Sequence, residues 1–509
     1  MVTPASAACC FMALSSATVG APESTLQIMR CLVLADALKS LGHSISFACL
    51  PQPGDMISYI EERGFQVTKL NPLKEPSKPQ HDADYEAWLQ RPSSEDALDF
   101  IQMVGSADLV ITDHYAIGYK WQQLVRQSLS CFLVAIDDLV REHDADLIVD
   151  QTLGRKPAEY SGSARALVGS EYAILAPRFA SLRELAYIRA LPETIPKVLV
   201  SMGGIDNPNA TLKSLKSLIG KVCADFTVLL SPRAPHYQQV KSWCDLHANV
   251  QHQDFEADMA DLMLKHDIAI GAPGTTSWER ACLGLPSILI PLADNQKMIC
   301  AQLLLHKAIM KVSLEEIDSQ LLVIYQQVMS QWHELFVSNL KLCDGLGTRR
   351  LVLEIQQLIE PNGHANLQLV FATHEDIKTV YDWQCHPKTR EFALNTDIPT
   401  WEGHQSWMKQ KLATTTDFFY LVEDKTTGQK LGVLRLDKTE PKNYLVSIFV
   451  APEAYGLGVA TAALKMADVI HPDLTLHATV LECNKASQKL FKKANYTQQN
   501  SETFIRNPI

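Results

Sequence analysis

Three glycine-bearing turns and several carboxylates at strand ends are the residues of this sequence best suited to chemistry. In "SMGGIDNPNAT", Gly203 and Gly204 follow an apolar run and precede Asp206, Asn207 and Asn209. Paired glycines admit close backbone approach, and the helix predicted next would aim amides at a phosphate. In "GAPGTTSWERACLGLPSILIPLADNQ", Gly271 and Gly274 lie at a strand end, and Thr275, Thr276 and Ser277 at a helix start. Glu279 falls in the first turns, where its carboxylate can accept ribose hydroxyls or simply favour the helix dipole. Asp294, Asn295 and Gln296 follow the next apolar run and can face a sugar. In the third turn, Tyr455, Gly456, Gly458, Val459 and Ala460 follow "YLVSIFVAP" and open a helix, as a backbone nest for a pyrophosphate does. The Lys-Ser/Thr pair of a P-loop is absent from it.

Asp113, His114 and Tyr115 follow the apolar run "DLVIT", and Asp137 and Asp138 follow "FLVAI". Such carboxylates can orient a water or a sugar hydroxyl, or cap a turn. Further on, His404 and Trp407 share a predicted helix face, and Glu482 ends a strand before Asn484 and Ser487. His404 or Glu482 can take a proton from an amine; the alternatives are a packed or capping His404 and a solvated Glu482.

These residues need strands and helices to hold them. With 509 residues, two or three domains are expected. A helical pattern from Ile28 stops at Gly42, and "SISFACL" then reads as a strand. Strand-helix alternation continues to "ADLIVDQTLG", predicting a first unit over 1–155, and a second series beginning at "KVLVSMGG" predicts another over 156–359. The segment 360–366 reads as a linker, and 367–509 as an α+β domain. The helical segments between about 294 and 359 are expected to complete the second unit.

Composition sets the outer limits. With 47% hydrophobic and 20% charged residues, global disorder is excluded. A net charge of -11 argues against nucleic-acid or anionic-membrane binding but leaves room for a local basic pocket. The twelve cysteines show no framework spacing, no Lys or Arg precedes Arg30, and no apolar run reaches membrane length, so a cytoplasmic protein is expected.

The stretches "IMRCLVLADAL", "DHY", "AIDDL", "GSEYAILAPRF", "LVSMGGIDNPNAT", "TTSWERACLGLP" and "ADNQ" resemble the UDP-sugar hydrolases of pseudaminic acid biosynthesis (PseG) over roughly residues 25 to 355. The resemblance implies an α/β fold, a GT-B-like pair of doubly wound units related to MurG, with no metal. It also implies release of UDP from UDP-2,4-diacetamido-2,4,6-trideoxy-β-L-altropyranose by water, with inversion. Tyr115 and Asn295 then fall in the substrate cleft with Asp113 nearby. Glu279 falls at the ribose, and Gly203, Gly204, Gly274, Thr275 and Thr276 line the nucleotide, with Asn207 and Gln296 as further substrate contacts. The family's GxGHxxRC signature reads "STLQIMRC" here, placing Ser24 and Leu26 at the glycines and Gln27 at the histidine that looks like the catalytic base. Glutamine positions water but does not cycle a proton near neutrality.

Residues 367–509 resemble the GNAT superfamily of N-acetyltransferases, and "TREFALNTD" and "HQSWMKQKL" look like the pseudaminic-pathway member (PseH). Acetyl-CoA is then the cosubstrate, held at the Gly456–Gly458 turn with Asn484 and Ser487 nearby, and Phe491 stands where many members have tyrosine. Together the resemblances imply one enzyme that acetylates the 4-amino group of a UDP-linked amino sugar and then hydrolyses the UDP bond. The alternative is an active acetyltransferase fused to a hydrolase-like UDP-sugar-binding domain impaired by Gln27.

Overall fold

The computed structural model describes residues 9–14, 22–52, 55–73, 84–162, 164–191, 195–203, 205–293, 296–359, 366–414 and 416–509. They form two compact units, one of Ala8–Lys39 with His43–Thr348 and one centred on Arg349–Ile509.

The first unit carries two parallel sheets. One contains β1 (Cys9–Leu14), β2 (Ser44–Cys49), β3 (Gln66–Lys69), β4 (Leu109–Thr112), β5 (Phe132–Ile136), β6 (Leu147–Asp150) and β7 (Arg165–Val168), in the order β3-β2-β1-β4-β5-β6-β7. The other contains β8 (Lys197–Ser201), β9 (Asp225–Leu229), β10 (Val250–Gln253), β11 (Ile268–Gly271), β12 (Ser287–Leu289) and β13 (Ile309–Lys311), in the order β10-β9-β8-β11-β12-β13. Runs such as "LVIT", "LIVD" and "IAIG" are buried along their whole length, as strands covered on both faces require. Strand order reverses between β1 and β4 and again between β8 and β11, and ligands of such sheets collect beyond the strand C-termini at those points.

The helix after β1 runs from Pro22 to Ser40 and so begins before Ile28, where the apolar pattern alone placed it. Proline is preorganised for a first helical turn, where its missing N–H is not needed. Gln27 therefore sits on a helix and not in an irregular loop. The first sheet also continues past residue 155 to β7, because "RALV" pairs in parallel with β6. At the other end, Arg349–Ile359 belongs to the second unit, where Leu353 joins its core and Gln357 bonds both backbone groups of Leu369.

The second unit is a mixed sheet of β14 (Leu367–Phe371), β15 (Phe418–Asp424), β16 (Lys430–Glu440), β17 (Asn443–Val450), β18 (Thr475–Thr479), β19 (Thr497–Gln498) and β20 (Thr503–Arg506), in the order β14-β15-β16-β17-β18-β20-β19. The strands β17 and β18 pair in parallel only from Asn443–Thr475 to Leu445–His477. Beyond that point they separate, while the other edge of β17 stays paired with β16 as far as Val450. The parting leaves a cavity bordered by Val446–Phe449 on one side and Thr479–Leu481 on the other.

Candidate functional site

A cavity of about 320 Å³ lies where the two parallel sheets present their reversal points. Gln27 and Arg30 reach it from the helix after β1, Tyr115 from the turn after β4 and Asp138 from the turn after β5. Gln151, Thr152 and Arg155 follow β6, Gly274, Thr275 and Trp278 follow β11, and Gln296 follows β12.

Local chemistry explains how these groups are held. Arg141 bonds Asp137 at 2.7 Å and donates to the carbonyls of Tyr115 at 2.6 Å and Ile117 at 2.9 Å, which fixes the turn carrying Tyr115. The Tyr115 ring packs against Tyr85 and Trp88, and its hydroxyl donates to Asp138 Oδ2 at 3.0 Å. Asp113 accepts from Arg30 Nε at 2.6 Å and from a terminal guanidinium nitrogen at 2.5 Å, and Cys31 Sγ donates to it at 3.3 Å. Asp150 is paired with Arg155 and accepts from the Thr152 amide. Asp113, Asp137 and Asp150 thus each have an arginine. Asp138 has none among the described residues, and its Oδ1 is buried without a partner.

The ionisation of these groups follows from that pairing. Burial works against the charge on Asp137, but His143 and Arg141 hold its carboxyl well below the usual range. Burial pushes Asp138 up to about 7; Arg30 opposes this, Asp137 adds to it, and the Tyr115 hydrogen bond opposes it again. His114 is fully buried and held down to about 3 by burial and by Arg141, so it stays neutral.

Several candidates from the sequence meet at this cavity and others do not. Gln27, Tyr115, Gly274, Thr275 and Gln296 line it. Gln27 is only 4% exposed, and its Nε2 is buried without a partner among the described residues. Gln296 accepts from the Leu292 amide at 2.8 Å. Asp113 stands behind the wall as a positioning carboxylate, not as a base, because Arg30 and Cys31 occupy its oxygens. Gly203, with φ +93°, Asn207 and Thr276 are not among the lining residues. Asn207 is exposed, and the Asp206 carboxylate is used by the Ala210 and Thr211 amides of the next helix. Glu279 is also off the lining. Its Oε2 is buried without a partner among the described residues, and burial pushes the carboxyl up to about 7 against the charge of Arg280. Gly204, Asp294 and Asn295 lie outside the described residues.

Residue spacing did not point to Arg30, Cys31, Arg155 or Trp278. The first two close the "STLQIMRC" stretch, and their contact with Asp113 shows why that arginine and cysteine follow Gln27. Asp138 was visible as a strand-end carboxylate; its lack of an ion pair among the described residues was not.

The second unit's cavity measures about 570 Å³. Gly456 and Gly458 both have φ +81°, and the space where a Cβ would stand is open at each. Gly458 precedes the helix Val459–Ile470, so the turn fits an incoming pyrophosphate. Val459 is buried beneath the turn, Ala460 is half-buried, and the exposed Tyr455 shares a 3.0 Å hydroxyl contact with Thr389. Asn484 caps the helix Lys485–Lys493 by accepting from the Ser487 amide at 3.0 Å, and both residues line the cavity.

His404 also lines the cavity, but its ring nitrogens are engaged by Gln384 at 3.0 Å and the Ile377 carbonyl at 3.1 Å, and burial lowers its pKa. It is a held packing residue, not a free base. Glu482 is exposed and off the lining. Arg435 reaches the cavity from β16, stacks over Trp407 at 4.9 Å and bonds Asp437 at 2.8 Å, a cation inside an apolar strand whose role its spacing did not reveal. Phe491 lines the wall and packs on Tyr496 and Phe504.

Fold and sites together define a GT-B-like domain fused to a GNAT acetyltransferase domain. The glycosyltransferase family 28 C-terminal domain matches residues 198–334, and the acetyltransferase (GNAT) domain matches residues 366–497. The chain is 22% identical over 494 residues to protein MJ1062 of Methanocaldococcus jannaschii, covering 92% of this chain and 93% of that one. It is 26% identical over 234 residues to the spore coat polysaccharide biosynthesis protein SpsG of Bacillus subtilis, covering 42% of this chain and 66% of that one. The crystal structure of CalG4, the calicheamicin glycosyltransferase, superposes with a TM-score of 0.51 at 10% identity over 70% of this chain and 100% of that one, which shows the shared fold. Acetyl-CoA is the cosubstrate of the GNAT domain. Among the described residues no His, Cys, Asp and Glu cluster is arranged to hold a metal ion, and no helix is long and apolar enough to cross a membrane.

Proposed function

We propose that the chain acts twice on one UDP-linked amino sugar: the GNAT domain acetylates its 4-amino group with acetyl-CoA, and the GT-B-like domain then releases UDP by water attack at the anomeric carbon with inversion. The residues that resemble the pseudaminic acid enzymes supply the substrate class, UDP-2,4-diacetamido-2,4,6-trideoxy-β-L-altropyranose for the hydrolytic step. The sheets β1–β7 and β8–β13 serve as the two halves of the hydrolase and Arg349–Ile509 as the acetyltransferase. SpsG's role in polysaccharide biosynthesis supports a sugar-nucleotide substrate.

The observation that carries the reading is the cavity at both reversal points. One wall holds the Tyr115–Asp138 pair beside Arg30, and the other holds Gly274, Thr275 and Trp278. Water attack beside a departing diphosphate needs an acceptor for the proton on one side and donors for the phosphates on the other. In the GNAT domain the open glycine turn would hold the cofactor pyrophosphate, and the parted strands would leave room for the thioester and the amine. Bound acetyl-CoA supplies the acetyl group; Asn484, Arg435 and the cavity's aromatic wall would orient the acceptor.

One observation favours a second reading, a UDP-sugar-binding domain with impaired hydrolysis: the sequence resemblance puts Gln27 at the position of the family's histidine. The deciding experiment uses the full chain with UDP-4-amino-4,6-dideoxy-N-acetyl-β-L-altrosamine and acetyl-CoA, recording acetylation and UDP release separately in time. Acetylation followed by stoichiometric UDP release supports the dual enzyme. Acetylation without release supports the binding-domain reading, and neither event removes both.

A further inference from the structure

The geometry points to Asp138 as the group that takes the proton from the attacking water, with Gln27 holding that water in place; this rests on the hydrolytic reading above. Among the described lining residues Asp138 is the one carboxylate, and there is no histidine. Three neighbouring carboxylates are neutralised by arginines: Asp113 by Arg30, Asp137 by Arg141 and Asp150 by Arg155. Asp138 is steadied through Oδ2 by the Tyr115 hydroxyl, which leaves Oδ1 buried and unpartnered. Gln27 contributes a second buried polar atom, the donor Nε2, without a partner among the described residues, to the same cavity. A water bridging the two would accept from Gln27 Nε2 and donate to Asp138 Oδ1.

The step balances without a further reagent. The water oxygen bonds to the anomeric carbon as its proton passes to Asp138 Oδ1. The bond from that carbon to the β-phosphate oxygen breaks, its electron pair leaves with UDP, and Asp138 returns the proton to solvent. Histidine in the family's signature would combine holding and proton acceptance in one side chain; here Gln27 and Asp138 divide them.

The groups facing Asp138 set its working range. Arg30 comes from the helix Pro22–Ser40, Tyr115 from the turn after β4, Asp137 is its sequence neighbour, and Asp150 and Arg155 come from the end of β6. Burial leads this balance and places the carboxyl at about 7, where a base near neutrality works best. A base acts when deprotonated, so turnover rises as pH increases through that value and levels off above it.

The test uses the full chain and the acetylated UDP-sugar, with UDP affinity measured in parallel by calorimetry. Asp138→Asn keeps the shape and the Tyr115 contact and is expected to slow UDP release by about 10²- to 10⁴-fold, with UDP affinity unchanged. Tyr115→Phe removes a bond that steadies the carboxylate and should move the rising limb to higher pH. Gln27→Ala should lower kcat without moving the limb, as a positioning residue does. Release by Asp138→Asn within threefold of wild type, or an unmoved limb in Tyr115→Phe, would overturn the assignment while leaving the hydrolytic reading intact. A wild-type chain that binds UDP yet releases none from the acetylated sugar between about pH 6 and 9 would overturn both.

Discussion

Replacing Asp113 by asparagine tests whether Arg30 is held from behind by a buried counter-ion. Both side chains are almost fully covered, at 5% and 1% exposure, and two charged hydrogen bonds join them. Burial by itself works against the Arg30 charge, yet the Asp113 carboxylate binds the guanidinium so firmly that its proton is held more tightly than in water. With charge centres about 4 Å apart and an effective dielectric of about 20, the attraction is about 4 kcal/mol. Removing one partner of such a pair costs about 3–5 kcal/mol, because the other charge stays buried without compensation. Asp113→Asn and Arg30→Met should each lower stability by that amount, whereas Arg30→Met with Asp113→Leu should cost far less than their sum. The assay is the urea dependence of amide exchange, read by mass spectrometry in full-chain peptides covering Pro22–Ser40 and β4. Single changes costing under about 1 kcal/mol, or a double change equal to the sum, would refute the reasoning.

Three further outcomes are expected. Gly458→Val places a β-branched side chain at φ +81° over the turn's amides, so calorimetry on the full chain should show acetyl-CoA binding weakened more than tenfold; equal affinity would remove the turn from the cofactor site. Glu279→Ala should weaken UDP by about 10- to 100-fold, the worth of about 1.5–3 kcal/mol for hydrogen bonds to a charged group. Because that carboxyl is held up to about 7, wild-type UDP affinity should fall as pH drops through this value and the carboxylate protonates; a mutant as tight as wild type would make Glu279 structural. His404→Ala should destabilise the GNAT domain by about 1–2 kcal/mol while the pH profile of acetyl transfer keeps its shape, and a lost acid limb would instead make His404 the base.

The sequence carried the two parallel sheets through runs such as "LVIT" and "IAIG", whose near-continuous apolar character fits strands covered on both faces. It carried the glycine turn at Gly456–Gly458 because positive φ there excludes most other residues. The start of the helix at Pro22 was hidden because the first turn, "PEST", has no apolar period, so its signal lies in proline and not in patterning. The roles of Asp113 and His404 were hidden for another reason. A carboxylate or imidazole at a strand end or on a helix reads alike whether free or held, and only the partners, Arg30 with Cys31 and Gln384 with Ile377, distinguish the two. Asp138 shows the converse: it resembles Asp137 in sequence, and an arginine ion pair made by Asp137 but, among the described residues, not by Asp138 separates them.

The parting of β17 from β18 beyond Leu445 would also let the sheet receive backbone-like chemistry. An edge that has lost its neighbouring strand presents amides and carbonyls at ladder spacing, and an extended molecule with its own amides can dock there as a surrogate strand. Acetyl-CoA carries two such amides in its pantetheine arm. Its arrival would extend the ladder along Val446–Val450 as well as fill a hole, so slowed deuterium uptake in that strand would report cofactor docking before any acetyl group moves.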